Sequence, residues 1–143
     1  MTPRLTAITL GVRDVAAASR FYEALGFARK FRATGDEIAF IDAGGVVLAL
    51  WSWDKLAGDA RVTSEQSQAF RGSTLAWNCK TPAQVDEAFA QAMAAGAESL
   101  RKPEKTDYGG YRDYFADPDG HLWEIVQAPG FGTTADGRLI LPD

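Results

Sequence analysis

Residues 111–127 read YRDYFADPDGHLWEIVQ, and this stretch decides the fold. Asp117-Pro118-Asp119-Gly120 is a tight turn: Pro118 presets φ near −65°, and Gly120 supplies a residue able to take positive φ. Phe115 before the turn and Leu122 to Val126 after it are apolar and β-prone, which predicts two antiparallel strands with Glu124 in the middle of the second. A weaker copy lies upstream at residues 38–51, IAFIDAGGVVLALW. There Asp42 corresponds to Asp117 and Gly45 to Gly120, and seven residues beyond each Asp stand Ala49 and Glu124.

Working outward, each turn closes a larger repeated pattern. Residues 5–12, LTAITLGV, alternate, with Ile8, Leu10 and Val12 on one face and Ala7, Thr9 and Gly11 on the other. Asp14 is a natural N-cap for a helix whose stripe is Val15, Ala18, Phe21, Tyr22 and Leu25 and which ends at Gly26. Strands are expected over residues 27–31, 38–41 and 46–51. Residues 73–79 begin the pattern again, with Leu75, Trp77 and Cys79 facing the helix and Thr74, Ala76 and Asn78 turned away. Thr81 then caps a second helix with Pro82 in its first turn; its stripe is Val85, Ala88, Phe89, Ala92 and Met93, and Gly96 ends it. Strands at 98–101, 110–116 and 121–127 complete the second β-α-β-β-β unit.

An internal repeat of this kind implies an α+β fold of two tandem modules. The expected organisation is a single domain over residues 1–143, with modules 5–53 and 73–128, a polar linker at 54–72 able to hold a helical turn, and a tail at 129–143 in which 138–141 could form an edge strand. One helix covers one face of four strands, so the other faces are expected to form an open, cup-shaped mixed sheet around a cleft.

Bulk composition fits a soluble globular chain, with 46% hydrophobic and 24% charged residues among 143. A single cysteine, Cys79, can form no internal disulfide, and a reducing, cytoplasmic location is the expectation. No signal peptide and no membrane span are expected from the sequence. A net charge of −4 without a Lys/Arg cluster argues against nucleic acid.

ITLGVRDVAAASRFYEALGF near the start and YFADPDGHLWEIVQAPGF near the end resemble the paired signatures of the vicinal oxygen chelate superfamily, which includes glyoxalase I, extradiol dioxygenases and bleomycin-resistance proteins. The resemblance runs from Leu5 to Phe131. It implies the glyoxalase-like fold but leaves activity open, because that fold hosts isomerases, dioxygenases, thiol transferases and drug-binding proteins. Carried over from the family's metal enzymes, the ligand positions fall here on Ala7, Ala49, Thr74 and Glu124. Only Glu124 matches. Zinc, nickel or iron needs about three N, O or S ligands, so the resemblance implies a branch that has lost the family's metal site, with no cofactor expected. His121, the only histidine, has the wrong strand parity for a ligand, and Cys79 reads as a small core residue.

Strand parity names the residues expected to contact a ligand: Thr9, Trp51, Thr74, Asn78, Arg112, Tyr114 and Glu124, with Trp53 and Tyr108 at the rim. Over residues 110–116 the opposite parity would instead present Tyr111, Asp113 and Phe115. Trp77 and Trp123 read as core, while Glu124 could pair with Arg112 or accept a Tyr hydroxyl. Three readings stay open. The chain could be a metal-free binder of a small aromatic or planar molecule, resembling the bleomycin-resistance branch. It could be a lyase, isomerase or dioxygenase of the superfamily, either metal-free with Glu124 as catalytic general base or using a divalent metal. Or it could be a non-catalytic protein with a vestigial cleft. Exposed sheet edges, and the pairing common in this fold, lead to the expectation of a homodimer.

Overall fold

The computed structural model describes residues 1–67 and 69–143, which divide into two compact units, Met1–Ala69 and Phe70–Asp143. In the first unit, β1 (Ala7–Val12) is followed by α1 (Val15–Ala24), β2 (Ala28–Lys30), β3 (Ile38–Asp42) and β4 (Val47–Ser52). The strands form an open mixed sheet in the order β1-β4-β3-β2, with β1 parallel to β4 and the other pairs antiparallel. The parallel pair exists because α1 carries the chain back across the sheet between them.

Local chemistry explains the elements. Asp14, extended at φ −141°, accepts the Ala17 amide at 2.9 Å and starts α1. The helix then lays Val15, Ala18, Ser19, Phe21 and Tyr22 on the sheet. Leu10, Val12, Leu48, Leu50, Ala39 and Ile41 receive them, all buried. Burying each large apolar side chain in that layer stabilises the unit by about 1.5–3 kcal/mol.

The second unit repeats the topology. β5 (Leu75–Asn78), α3 (Pro82–Ala94), β6 (Glu98–Lys105), β7 (Tyr111–Ala116) and β8 (Leu122–Gln127) form a sheet in the order β5-β8-β7-β6, again with only the first pair parallel. Thr81 accepts the Gln84 amide at 3.2 Å while the Gln84 side chain accepts the Lys80 amide at 2.8 Å, which closes the start of α3. Phe115, Trp123 and Ile125 are buried on the helix side together with Val85, Ala88 and Ala92. The Phe115 and Trp123 rings stack with centroids 6.2 Å apart.

Both turns take the form expected. The Asp117 carboxylate, 4% exposed, accepts the amides of Asp119 (2.9 Å) and His121 (2.8 Å), and Gly120 sits at φ +81°. Asp42 does the same for the amide of Gly44, at 3.0 Å. The turn after β7 is also tied to the segment before β5, because Arg71 donates to the carbonyl of Asp119 at 3.2 Å.

Some expectations need correction. The segment after β4, expected as a linker able to hold a helical turn, carries a two-turn helix, α2 (Trp53–Asp59), capped by Ser52 and beginning one residue before the expected linker. β5 begins at Leu75, so Thr74 precedes the strand instead of lying in it. Residues 102–105 extend β6 beyond the expected 98–101, with its pairing to β7 interrupted by bulges. In the tail, β10 (Leu139–Ile140) pairs with β9 (Gly132–Thr133) as a small hairpin. No helix among the described residues is long and apolar enough to cross a membrane.

Candidate functional site

The sheet faces turned away from α1 and α3 hold the candidate residues, and strand register fixes which of them are neighbours. In the second unit Glu124 lies between Ala76 on β5 and Tyr114 on β7, while Arg101 pairs with Tyr114 from β6. The adjoining row runs Asn78, Val126, Arg112 and Glu104. Thus Arg112, Tyr114, Glu124 and Asn78 share one face, as alternation from a helix-facing Phe115 requires. The alternative set, Tyr111, Asp113 and Phe115, lies on the helix side: Phe115 and Asp113 are fully buried there, and the Tyr111 hydroxyl donates to Asp86 of α3 at 2.7 Å.

The charges on this face are arranged in pairs. Arg112, with a side chain only 13% exposed, donates to Glu104 at 3.2 Å, and Glu104 also binds Arg101. The Arg112 guanidinium lies 5.8 Å from the centre of the Tyr114 ring. Arg101 first, and then Arg112, hold the Glu104 carboxyl below its ordinary value. Glu124 therefore does not take Arg112 as its partner. Its neighbour is the Tyr114 hydroxyl, whose pKa is pushed up by burial first and then by the negative charge of Glu124 and the hydrogen bond to it. The result is a half-buried phenol–carboxylate pair beside a guanidinium that a second carboxylate holds in place.

The open face of the first unit is built differently. Its central row is Thr9, Ala49 and Phe40, and the next is Gly11, Trp51 and Ile38. Trp53, the first residue of α2, lies directly over Gly11, where an added Cβ would come 3.0 Å from the indole Cε3. The Trp51 indole contributes to holding the Glu37 carboxyl below its ordinary value, after the larger effect of Lys55, whose Nζ is 2.7 Å from it. Phe31, two-thirds exposed at φ +47°, sits 6.0 Å from the Phe40 ring. This face is apolar and aromatic, in contrast to the charged face of the second unit.

Several expected residues fall elsewhere. Thr74 is exposed ahead of β5, and Tyr108 is 60% exposed in the loop between β6 and β7. Cys79 and Trp77, expected in the core, are instead half-exposed and line a cavity of about 300 Å³ with Gln84, Glu87, Ala88 and Gln91 of α3. They sit at the open edge of the sheet, since β5 pairs only with β8, and so are covered by α3 from one side alone. Burial, with a smaller contribution from the negative charge of Asp113, pushes the Cys79 thiol up to about 11. His121 lies in the turn before β8, with Nδ1 3.3 Å from an Arg71 nitrogen. Residue type alone gave no sign of the α3 cavity, because Trp77 and Cys79 are equally at home in a core.

A model of the family described as Glyoxalase/Bleomycin resistance protein/Dioxygenase superfamily matches residues 4–125. The chain belongs to that superfamily. A glyoxalase-related enzyme from Fulvimarina pelagi is 36% identical over 99% of this chain and 100% of its own, with a TM-score of 0.88. A superfamily member from Burkholderia phytofirmans PsJN (21% identity, 88% and 99% of the two chains, TM-score 0.78) shares the fold. So does a lactoylglutathione lyase from Agrobacterium tumefaciens (20% identity, 89% and 95%, TM-score 0.66). No curated protein matches. The α+β architecture and the topology of both sheets are thus those of the glyoxalase superfamily.

The metal chemistry of that superfamily does not fit the residues present. Ala7 and Ala49 offer methyl groups, the Thr74 hydroxyl precedes its strand, and Glu124 is engaged by Tyr114. Among the described residues no group of three His, Cys, Asp or Glu side chains could hold a metal ion. One carboxylate falls short of the three ligands such a site needs.

Proposed function

We propose that this glyoxalase-superfamily chain binds a small planar or aromatic molecule without a metal ion, in the manner of the drug-binding branch and not as a metal-dependent enzyme. The observation that carries this reading is the environment of Glu124. The one carboxylate at a family ligand position stands between Tyr114 and Ala76, and the other carboxylate on its face, Glu104, is taken up by Arg101 and Arg112. Among the described residues no group of three His, Cys, Asp or Glu side chains could hold a metal ion. A phenol–carboxylate pair next to a fixed guanidinium offers directional hydrogen bonds to the polar edge of a ligand. Arg112 and Tyr114 present flat faces for stacking. Asn78 adds a neutral polar group on the same face, and Thr74 lies just ahead of its strand. The protein acts, on this reading, as a homodimer in the cytoplasm.

The reading is tested by screening thermal shift and tryptophan fluorescence against a panel of planar heteroaromatic compounds, with and without chelator. Ligands that stabilise the wild type equally in both conditions, and that lose most of this effect on Glu124→Gln or Tyr114→Phe, support it. Stoichiometric zinc, nickel or iron after purification without chelator would overturn the metal-free part. Sedimentation at micromolar concentration checks the dimer, and a monomer there rules it out.

A further inference from the structure

Asp113 is the most anomalous side chain in the second unit. It is fully buried between β7 and α3, and neither carboxylate oxygen makes a hydrogen bond of full geometry among the described residues; the Ile125 amide is the one donor close enough to act on it. An ionised carboxylate without partners in such a layer is strongly disfavoured, and a buried polar group left unsatisfied calls for a physical explanation. Its surroundings add to the difficulty. From α3, Asp86 approaches through its bond to Tyr111, two residues from Asp113, and Glu87 lies one residue further along the helix. From β8, Glu124 stands next to Ile125, which pairs directly with Asp113. Cys79, at the end of β5, feels the Asp113 charge. The Arg112 guanidinium is committed to Glu104 on the opposite face of β7, and on β6 Arg101 joins that cluster while Lys102 and Lys105 are exposed. Of the charged groups that act on Asp113, Glu124 and Asp86 are negative and Arg112 alone is positive.

We propose that Asp113 is a proton-operated latch on α3: protonated, it lets the helix lie closed on the sheet, and on losing its proton it drives α3 to loosen from β7 so that water can reach the charge. The Tyr111–Asp86 bond is the contact most directly strained, because Asp86 and the ionised Asp113 repel one another across it. Burial, the largest cause, raises the Asp113 carboxyl; the Ile125 amide, next in size, lowers it; Glu124 and Asp86 raise it and Arg112 lowers it by lesser amounts, which leaves it at about 7. The direction follows from linkage. A carboxyl raised from an ordinary 3.8 to about 7 in the closed form favours closure fully at low pH. That preference is lost as pH rises through about 7 and does not change further above it. The loss runs from about 3.8 to about 7, so the latch would work on the acid side of neutrality and be complete just above it. It does not rest on the ligand-binding reading, although Glu124 of the opposite face is one of the charges that act on Asp113.

Amide hydrogen exchange of α3 and β7, corrected for intrinsic exchange, tests this in the intact protein. The opening equilibrium of wild type should rise about tenfold from pH 6 to pH 8 and then level off, while Asp113→Asn should show no such rise. Asp86→Asn, which keeps an acceptor for Tyr111, should move the wild-type midpoint to lower pH. A 13C titration of the wild-type Asp113 carboxyl reads the same event without any substitution and decides the matter if Asp113→Asn fails to fold. A midpoint near the ordinary 3.8 would overturn the proposal. So would a rise in opening that persists in folded Asp113→Asn.

Discussion

Trp53 is seated on Gly11: a Cβ placed on that glycine would lie 3.0 Å from the indole Cε3 and 3.2 Å from the Trp53 Cα. The first strand of the fold and the helix that follows the first module are thus in contact through the absence of a side chain. Because a backbone atom is among those approached, a flexible side chain cannot absorb the intrusion. Gly11→Ala should cost about 1–3 kcal/mol and displace the start of α2. A urea denaturation curve and the tryptophan emission maximum measure both effects, and an unchanged midpoint would show that α2 is not fixed by this contact.

The Tyr114–Glu124 pair has a spectroscopic signature. Burial and the neighbouring carboxylate both raise the Tyr114 phenol above its ordinary value of 10, burial more strongly. Replacing Glu124 by Gln removes the charge but leaves the burial. The phenol should then titrate at lower pH than in wild type while staying above a free tyrosine. Difference absorbance near 295 nm through an alkaline titration, with Tyr114→Phe to assign the transition, reads the shift.

Cys79 should be a slow nucleophile despite its partial exposure. With the thiol raised from 9.0 to about 11, the reactive thiolate is scarce at neutral pH. At pH 8 alkylation should run about a hundredfold slower than for an unperturbed thiol, and gain about tenfold per pH unit until the thiol titrates. Iodoacetamide labelling followed by mass spectrometry gives the rate directly. Fast labelling at pH 7 would mean that the thiol is not held in this environment.

Thr81 and Gln84 close the first turn of α3 with reciprocal bonds. Thr81→Ala should destabilise the fold by about 1 kcal/mol, and Thr81→Ser should recover most of that loss. Thermal denaturation of the two variants at a pH where the chain unfolds reversibly distinguishes the cap from a general effect of substitution there.

Much of the fold was legible because it is written in local chemistry. Asp14 and Thr81 mark the helix starts, and the paired Asp42 and Asp117 turns fix two hairpins. Alternation in Ile8, Leu10 and Val12 separates core face from open face. Where local signals failed, long-range packing made the decision. Thr74 looks like a strand residue, but the pairing of β5 with β8 begins only at Leu75. α2 lacks a strong apolar stripe, yet Ser52 caps it, and Trp53 and the buried Ala57 anchor it. Trp77 and Cys79 have the side chains of core residues, and their half-exposure follows only from β5 being a sheet edge.

The sequence by itself determined the repeated β-α-β-β-β order and the superfamily resemblance, because each depends on residue type and on spacing within a few turns of chain. Tertiary structure alone decided the partners. Arg112 is claimed by Glu104 and Tyr114 by Glu124, while Asp113 is buried beneath α3 without a hydrogen bond of full geometry. Which of several nearby charges meet depends on strand register and on the bulges of β6, and these are set by contacts among residues far apart in the chain.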